Sequence, residues 1–367
     1  MKTSTDTPFI FPRTGKAVKN RSVLAAMTNK QSHPNGTISS TELKWLVRRA
    51  KGGFGIITTA AVHVSKEGQG WEGEIGLYSD QHIKKLKNLT SEIRKYNSLS
   101  FAQLFHGGQR APQKITGKKP ISASVNKTQY SLDGESNSAN KQEIKKIIRD
   151  FTNAALRAYK SGFDGIELHG AHGYLLAQFL GIKTNRRSDE YGGSIVERSK
   201  IIFEIYKSIK KIVPESFIIG IRISPEISDM GIDLRDTISL VNHLAKLDLD
   251  FIHISCWDIN ARSKKYINSD LTLTEWITKS IKNLPPIIST GNIWTLNDVK
   301  NVLDQGASLY GVGRAAIPYP DFSKLIEEEN FNPSKGPFTY DELRNVDVGD
   351  VFIDYLRSWK GFIIDKP

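Results

Sequence analysis

Eight β-branched runs alternating with helical runs predict an α/β chain folded as a single (β/α)8 TIM barrel, because that alternation sets a parallel sheet inside a ring of helices. A second observation agrees. Polar and ring-bearing residues collect where several of these runs end, on the carboxyl face where such a barrel builds its sites. A third is the pair of glycine-containing ends closing the last two runs, Ser289-Thr290-Gly291-Asn292 and Gly311-Val312-Gly313-Arg314. An open, doubly wound sheet is the alternative that the alternation also allows.

In chain order, Phe9-Ile10-Phe11 and residues 17–21 flank a Thr14-Gly15-Lys16 turn, a candidate hairpin. The strands are read at 23–27, 55–61, 99–105, 162–169, 217–223, 249–255, 286–291 and 308–313. Helical runs lie at 40–50, 81–96, 141–160, 194–211, 234–247, 273–282 and 295–303. No long linker interrupts the series, so the chain reads as one domain, 1–367, with 325–367 as a C-terminal extension. Two stretches exceed ordinary loop length, 111–140 and 257–270. Their Ser, Asn, Lys and Gly content predicts mobile covers over the site, and equally fits plain surface loops.

Composition narrows the class. With 39% hydrophobic and 25% charged residues the 367-residue chain is ordinary globular material. No apolar run approaches the roughly 20 residues of a membrane helix, and the N-terminus lacks a signal-peptide core, which predicts a cytoplasmic protein off the membrane. The single cysteine, Cys256, excludes an intrachain disulfide and a cysteine-rich metal site. Fifty-one Lys and Arg against 39 Asp and Glu give a net charge of +12, which attracts phosphates. The excess is spread over helices with no aromatic-interleaved patch, so a solvated basic surface is expected and nucleic acid is not.

The richest stretch is 167–193. In Ile166-Glu167-Leu168-His169 the polar residues share one face of a period-2 segment. Gly170 ends it, and His172 and Tyr174 stand before a short apolar run, 175–180. The same alternation turns Gln103 and Phe105, Arg222, and His253 with Ser255 inward on their strands. Gln103, Glu167, His169, Arg222 and His253 are thus candidates to encircle a polar planar ligand, or to satisfy one another as an internal network. His169 and His172, three apart, also fit one edge of a metal site, but no third ligand is evident and none is predicted. Gly291, Asn292, Gly313 and Arg314 suit a phosphate-bearing ligand, or tight turns alone.

These residues carry a resemblance. His169-Gly-Ala-His172-Gly-Tyr174-Leu-Leu-Ala-Gln-Phe-Leu, followed by Asn185-Arg-Arg-Ser-Asp-Glu-Tyr-Gly-Gly193-Ser194 and Arg198, is similar to the active-site segment of the old yellow enzyme family of FMN-dependent ene-reductases. The match extends over nearly the whole chain through Asn20-Arg-Ser-Val-Leu-Ala-Ala-Met27-Thr28, Ala102-Gln103-Leu, Arg222, Gly291 and Gly313-Arg314. The resemblance implies noncovalent FMN over the strand ends and a hairpin closing the barrel base. Thr28 would meet the flavin O4 edge, with backbone contacts from Ala25, Ala26 and Met27. Gln103 would bind the pyrimidine ring and Arg222 would face N1 and O2. Gly291, Asn292, Gly313 and Arg314 would hold the phosphate. NADPH or NADH would reduce the flavin in a ping-pong cycle, and an α,β-unsaturated carbonyl compound would then enter. His169 and His172 would bind its carbonyl oxygen, and Tyr174 would protonate the α-carbon.

Several positions depart from the family's pattern. Ala26 stands where many members carry proline, and Thr28 where one branch carries cysteine. Lys30 replaces a tyrosine near the substrate in that branch, and Gln109 an arginine. Phe105 takes a place held elsewhere by tryptophan or alanine, which makes it a substrate gate. Arg357 lies where some members send an arginine to a neighbouring subunit, so a homo-oligomer is an open expectation beside simple packing of Trp359. Two other functions compete: a tRNA dihydrouridine synthase-like flavoenzyme, which expects a cysteine after the third strand, and a flavin-binding barrel without turnover.

Overall fold

The computed structural model describes residue 5 and residues 7–364. Its centre is a closed parallel barrel of β1 (Ser22–Leu24), β2 (Ile56–His63), β3 (Leu99–Phe105), β4 (Gly165–Gly170), β5 (Ile218–Ile223), β6 (Phe251–Ser255), β7 (Ile287–Thr290) and β8 (Leu309–Val312). Each strand pairs with its sequence neighbours, and β8 pairs with β1 to close the ring. The expected fold class is therefore the observed one, and the open sheet is excluded by the β8–β1 ladder.

Bounds shift where side chains compete for the ladder. The first strand was expected to reach Met27, but its ladder stops near Leu24, with Ala25 N donating to Val312 O at 3.0 Å as its last bond. Ala26 O instead accepts from Arg222 Nη1 at 3.2 Å, so a guanidinium draws this backbone inward. In β2 the register slips between Thr58 and Ala61, where the Thr59 hydroxyl accepts from Gln103 N at 3.3 Å. The helix expected over 194–211 is two, Ile195–Arg198 and Lys200–Lys210, joined at Ser199.

The barrel floor is apolar. Val23, Ile56, Phe101, Ile218, Phe251, Ile288 and Leu309 fill it, with Phe101 and Phe251 stacked at 5.4 Å. Gly220 makes this possible, since a Cβ there would lie 2.3 Å from the Phe251 ring. Phe11, from the hairpin of Phe9–Ile10 and Ala17–Val18, rests 6.2 and 6.3 Å from those rings and plugs the base. Arg13 pins the hairpin through Asp250 Oδ2 at 2.5 Å and Phe217 O at 2.7 Å.

The long stretch 111–140 is tied down rather than loose. It holds a helical turn, Gln113–Thr116, and a short parallel pair, Ile121–Ser122 with Asn137–Ser138. Arg187 Nη1 donates to Ala123 O at 2.8 Å and Ala139 O at 2.6 Å, and Arg186 reaches Val125 O and Asn126 Oδ1. The Asn185–Gly193 segment thereby works as support for the cover. At the far end, helix Asp350–Leu356 packs through Phe352 on Trp45, ring centroids 5.6 Å apart. Buried Arg49 bonds Ala316 O, Ile317 O and Val346 O, joining the turn after β8 to this extension. No helix among the described residues is long and apolar enough to cross a membrane.

Candidate active site

Above the apolar floor lies a buried polar tier. Glu167 on β4 accepts from Gln103 Nε2 at 2.7 Å and from His253 Nδ1 at 2.6 Å, and His253 Nε2 meets Thr290 Oγ1 at 2.6 Å. Burial alone would raise the Glu167 carboxyl, but His253, Arg222 and Gln103 together hold it below its usual range. Burial lowers His253, so the pair is a carboxylate with a neutral imidazole. An ionised carboxylate only accepts, which orients the Gln103 amide with its NH2 toward Glu167 and leaves Oε1 as the acceptor. Of the five residues expected to encircle a ligand, Glu167 and His253 are spent on this network. It fixes Gln103 from below.

The next tier faces the mouth. Arg222 Nη2 donates to Ser255 Oγ at 3.0 Å, and the same oxygen meets His172 Nε2 at 2.7 Å. His172 Nδ1 lies 3.3 Å from His169 Nε2, and Ala171 N donates to His169 Nδ1 at 3.3 Å. That last bond makes His169 an Nε2–H tautomer donating to His172 Nδ1, so His172 in turn carries its proton on Nε2. Burial first, then Arg222, depresses both rings, His169 to about 3 and His172 well below its normal range. They are neutral hydrogen-bond donors at physiological pH. The backbone of His172 sits at φ +57°, a strained setting for a residue with a side chain, held by Ser224 Oγ at 3.1 Å and by Arg110 on its carbonyl at 2.7 Å.

Tyr174 completes an aromatic wall. Its ring lies 4.5 Å from Phe105, 5.0 Å from His169 and 6.5 Å from Trp71. Burial pushes its phenol up to about 12, with Arg110 opposing. Phe105 is fully buried behind Trp71 and Tyr174, so it forms the back of the wall rather than its mouth. Lys30, at φ +59°, stands on the other side with its ammonium 4.9 Å from the Tyr355 ring. Three neighbours escaped the sequence reading. Arg110 stacks 4.3 Å over Tyr174, next to Gln109 where the family's arginine was missed. Trp71 and the buried Glu74 come from the loop after β2, which carries no periodic signal. The Glu74 carboxyl is raised well above normal by burial.

The corner expected to hold a phosphate joins the ends of β7 and β8. Asn292 Oδ1 accepts from Arg314 Nη2 at 2.8 Å and Trp294 Nε1 at 3.2 Å, while its amide donates to Asp258 Oδ2 at 3.0 Å. A Cβ at Gly291 would strike Cys256 O at 2.7 Å, so only glycine allows this turn. A Cβ at Gly313 would find nothing nearer than Met27 Sδ at 3.6 Å, leaving the backbone open toward the β1 end. Ala25, Ala26, Met27 and Thr28 leave β1 beside Arg222, whose buried Nε has no partner. An acceptor amide, a guanidinium with an idle donor and an open glycine beside Arg314 fit the ring and phosphate of FMN. Cys256 is no rival nucleophile, since burial drives its thiol up to about 12. Among the described residues no group of three or more His, Cys, Asp or Glu could hold a metal ion.

Comparison with known proteins agrees with this chemistry. Residues 8–332 match the model of the NADH:flavin oxidoreductase / NADH oxidase family. The probable NADH-dependent flavin oxidoreductase YqiG of Bacillus subtilis (strain 168) is 31% identical over 328 residues, 88% of this chain and 87% of that one. The NADH:fumarate oxidoreductase of Klebsiella pneumoniae (strain 342) is 31% identical over 87% of this chain, which spans only 35% of that longer protein. The solved old yellow enzyme homologue from Zymomonas mobilis superposes with a TM-score of 0.81 at 25% identity, covering 95% of this chain and 99% of that one.

Proposed function

The chain belongs to the NADH:flavin oxidoreductase / NADH oxidase family, as an NAD(P)H-dependent FMN oxidoreductase of the old yellow enzyme type, and from that premise we propose that it reduces the C=C bond of α,β-unsaturated carbonyl compounds. One observation carries the reading. Two neutral imidazoles whose N–H groups point along one chain of bonds stand beside a half-buried, protonated tyrosine. A substrate carbonyl oxygen that replaces His172 Nδ1 as the acceptor of the His169 N–H, and Ser255 Oγ as the acceptor of the His172 N–H, would take one N–H from each ring, and both bonds would strengthen as negative charge develops on it.

Bound FMN would supply the hydride relay from the nicotinamide to the alkene β-carbon. The rest falls to this chain. Arg222, whose Nε has no partner among the described residues, would place positive charge at the N1/O2 edge, and Gln103 Oε1 would accept from the ring imide. Thr28 and the 25–27 backbone would take the opposite edge, and Gly291, Asn292, Gly313 and Arg314 the phosphate. Tyr174 delivers its phenolic proton to the α-carbon, so hydride and proton together saturate the bond. The whole chain, 1–367, acts in this reading as one FMN-binding domain with 325–367 as its extension.

The test is an anaerobic absorption spectrum. Purified protein should be yellow, bleach with NADPH or NADH, and recover its colour on adding 2-cyclohexenone. Flavin that bleaches but is reoxidised by no enone would sink the enone assignment.

A further inference from the structure

A cavity of about 510 Å³ opens beside the aromatic wall, lined by Lys30, Ser32, Trp71, Glu72, Ile115 and Val351 among others. Its size suits the remote part of a substrate. Its walls come from four separate elements: the loop after β1, the loop after β2, the Gln113–Thr116 turn and the C-terminal helix Asp350–Leu356. Trp71 connects it to the reaction centre, since its ring touches Phe105 at 5.3 Å. The indole Nε1 is buried with no partner among the described residues, a donor waiting in the wall.

Charge at this end is uncompensated. Lys30 is held against Tyr355, and Arg110, two residues before the lining Pro112, is held against Tyr174 and His172 O. Neither takes part in any ion pair among the described residues. Both cations are fixed by aromatic faces, so little conformational entropy is lost when an anion docks. The one acidic side chain of the lining, Glu72, is exposed at the rim, where water screens it.

We propose that this cavity is a subsite for the distal part of the substrate, and that Lys30 and Arg110 select alkenes whose tail ends in a carboxylate. The inference rests on the enone reading, and it adds a substrate class to it. The carbonyl sits on His169 and His172, the chain of the substrate passes Tyr174 and Trp71, and the tail anion meets Arg110 and Lys30.

Binding to the FMN-loaded protein tests it without turnover. The probes are 4-(4-hydroxyphenyl)butanoate, whose phenol oxygen takes the two histidines, and its uncharged methyl ester, both followed by the flavin absorbance. The acid should bind about tenfold more tightly at low salt, and the advantage should fade as salt rises. Lys30→Met and Arg110→Met should each bring the acid-to-ester ratio toward one. Equal affinities in the native protein, or a ratio that survives both substitutions, would overturn the subsite. So would substitutions that weaken NADPH and spare the acid, since the cations would then serve the dinucleotide. An acid preference kept by a protein that reduces no enone would leave the subsite standing and remove the enone reading instead.

Discussion

In the proposed reaction Tyr174 and the His169–His172 pair have separable roles, and the tyrosine and the pair can be tested independently. Tyr174 carries its proton at every physiological pH because burial pushes the phenol up to about 12. Tyr174→Phe keeps the ring against Phe105 and removes only the O–H. Alkene reduction should slow by about 10²-fold or more, while flavin reduction by NAD(P)H stays near the native rate. Stopped-flow measurement of the two half-reactions checks this, and equal slowing of both would refute the role. For the imidazoles, His169→Ala combined with His172→Ala should weaken phenol binding by about tenfold or more, read from the same flavin absorbance. Unchanged phenol affinity would end the oxyanion assignment. The identities of these residues were legible in the sequence. Their tautomers were not, because those depend on Ala171 N, Ser255 and Arg222, which come from three strand ends.

At the scale of elements, the cover over 111–140 depends on two arginines from another segment. Arg187 satisfies two carbonyls of the cover and also pairs with Asp189 at 2.6 Å. Arg187→Ala would leave Ala123 O and Ala139 O without those donors, a cost of about 1–3 kcal/mol borne locally. Hydrogen exchange over 111–140 should accelerate by tenfold or more, with the barrel strands unaffected. Uniform acceleration across the chain would show the arginines to be global supports. The polar composition of this stretch predicted mobility, since no periodic pattern in it declares its partners. The anchors are guanidiniums more than forty residues away, which periodicity cannot see.

Across the whole molecule, buried titratable groups set opposing pH slopes. Glu42, held by Asn29 and Ser32, is raised to about 7 by burial, with those hydrogen bonds opposing. The unfolded carboxyl releases its proton from about pH 4.5, whereas the folded one keeps it until about 7. Stability from this group is therefore present at low pH and lost as pH rises through that window, by about 3 kcal/mol. His63 and His106 run the other way. Burial lowers each to about 4, so their contribution is full above 6.5 and is lost as pH falls toward 4. Glu42→Gln should gain stability over the native chain as pH rises from 5 to 8, measured by urea unfolding at each pH. A difference that stays flat with pH would mean the carboxyl is not buried in its neutral form.

The sequence by itself determined the barrel and the residue types at its mouth. Strand alternation has period 2, so it declares which side chains enter the barrel, and eight such runs separated by helices leave few ways to bury both faces. That reasoning turned Gln103, Glu167, His169, Arg222 and His253 inward from local pattern alone. Only the tertiary structure decided how they divide. Glu167 and His253 close on each other through a carboxylate that needs donors from two strands, and Arg222 and the histidines are left to face the mouth. Lys30 and Trp71 likewise come to one cavity, and Arg110 to the Tyr174 ring, only in space, since they sit on loops after three different strands. Burial depends on every neighbour at once, and so do the charge states it sets.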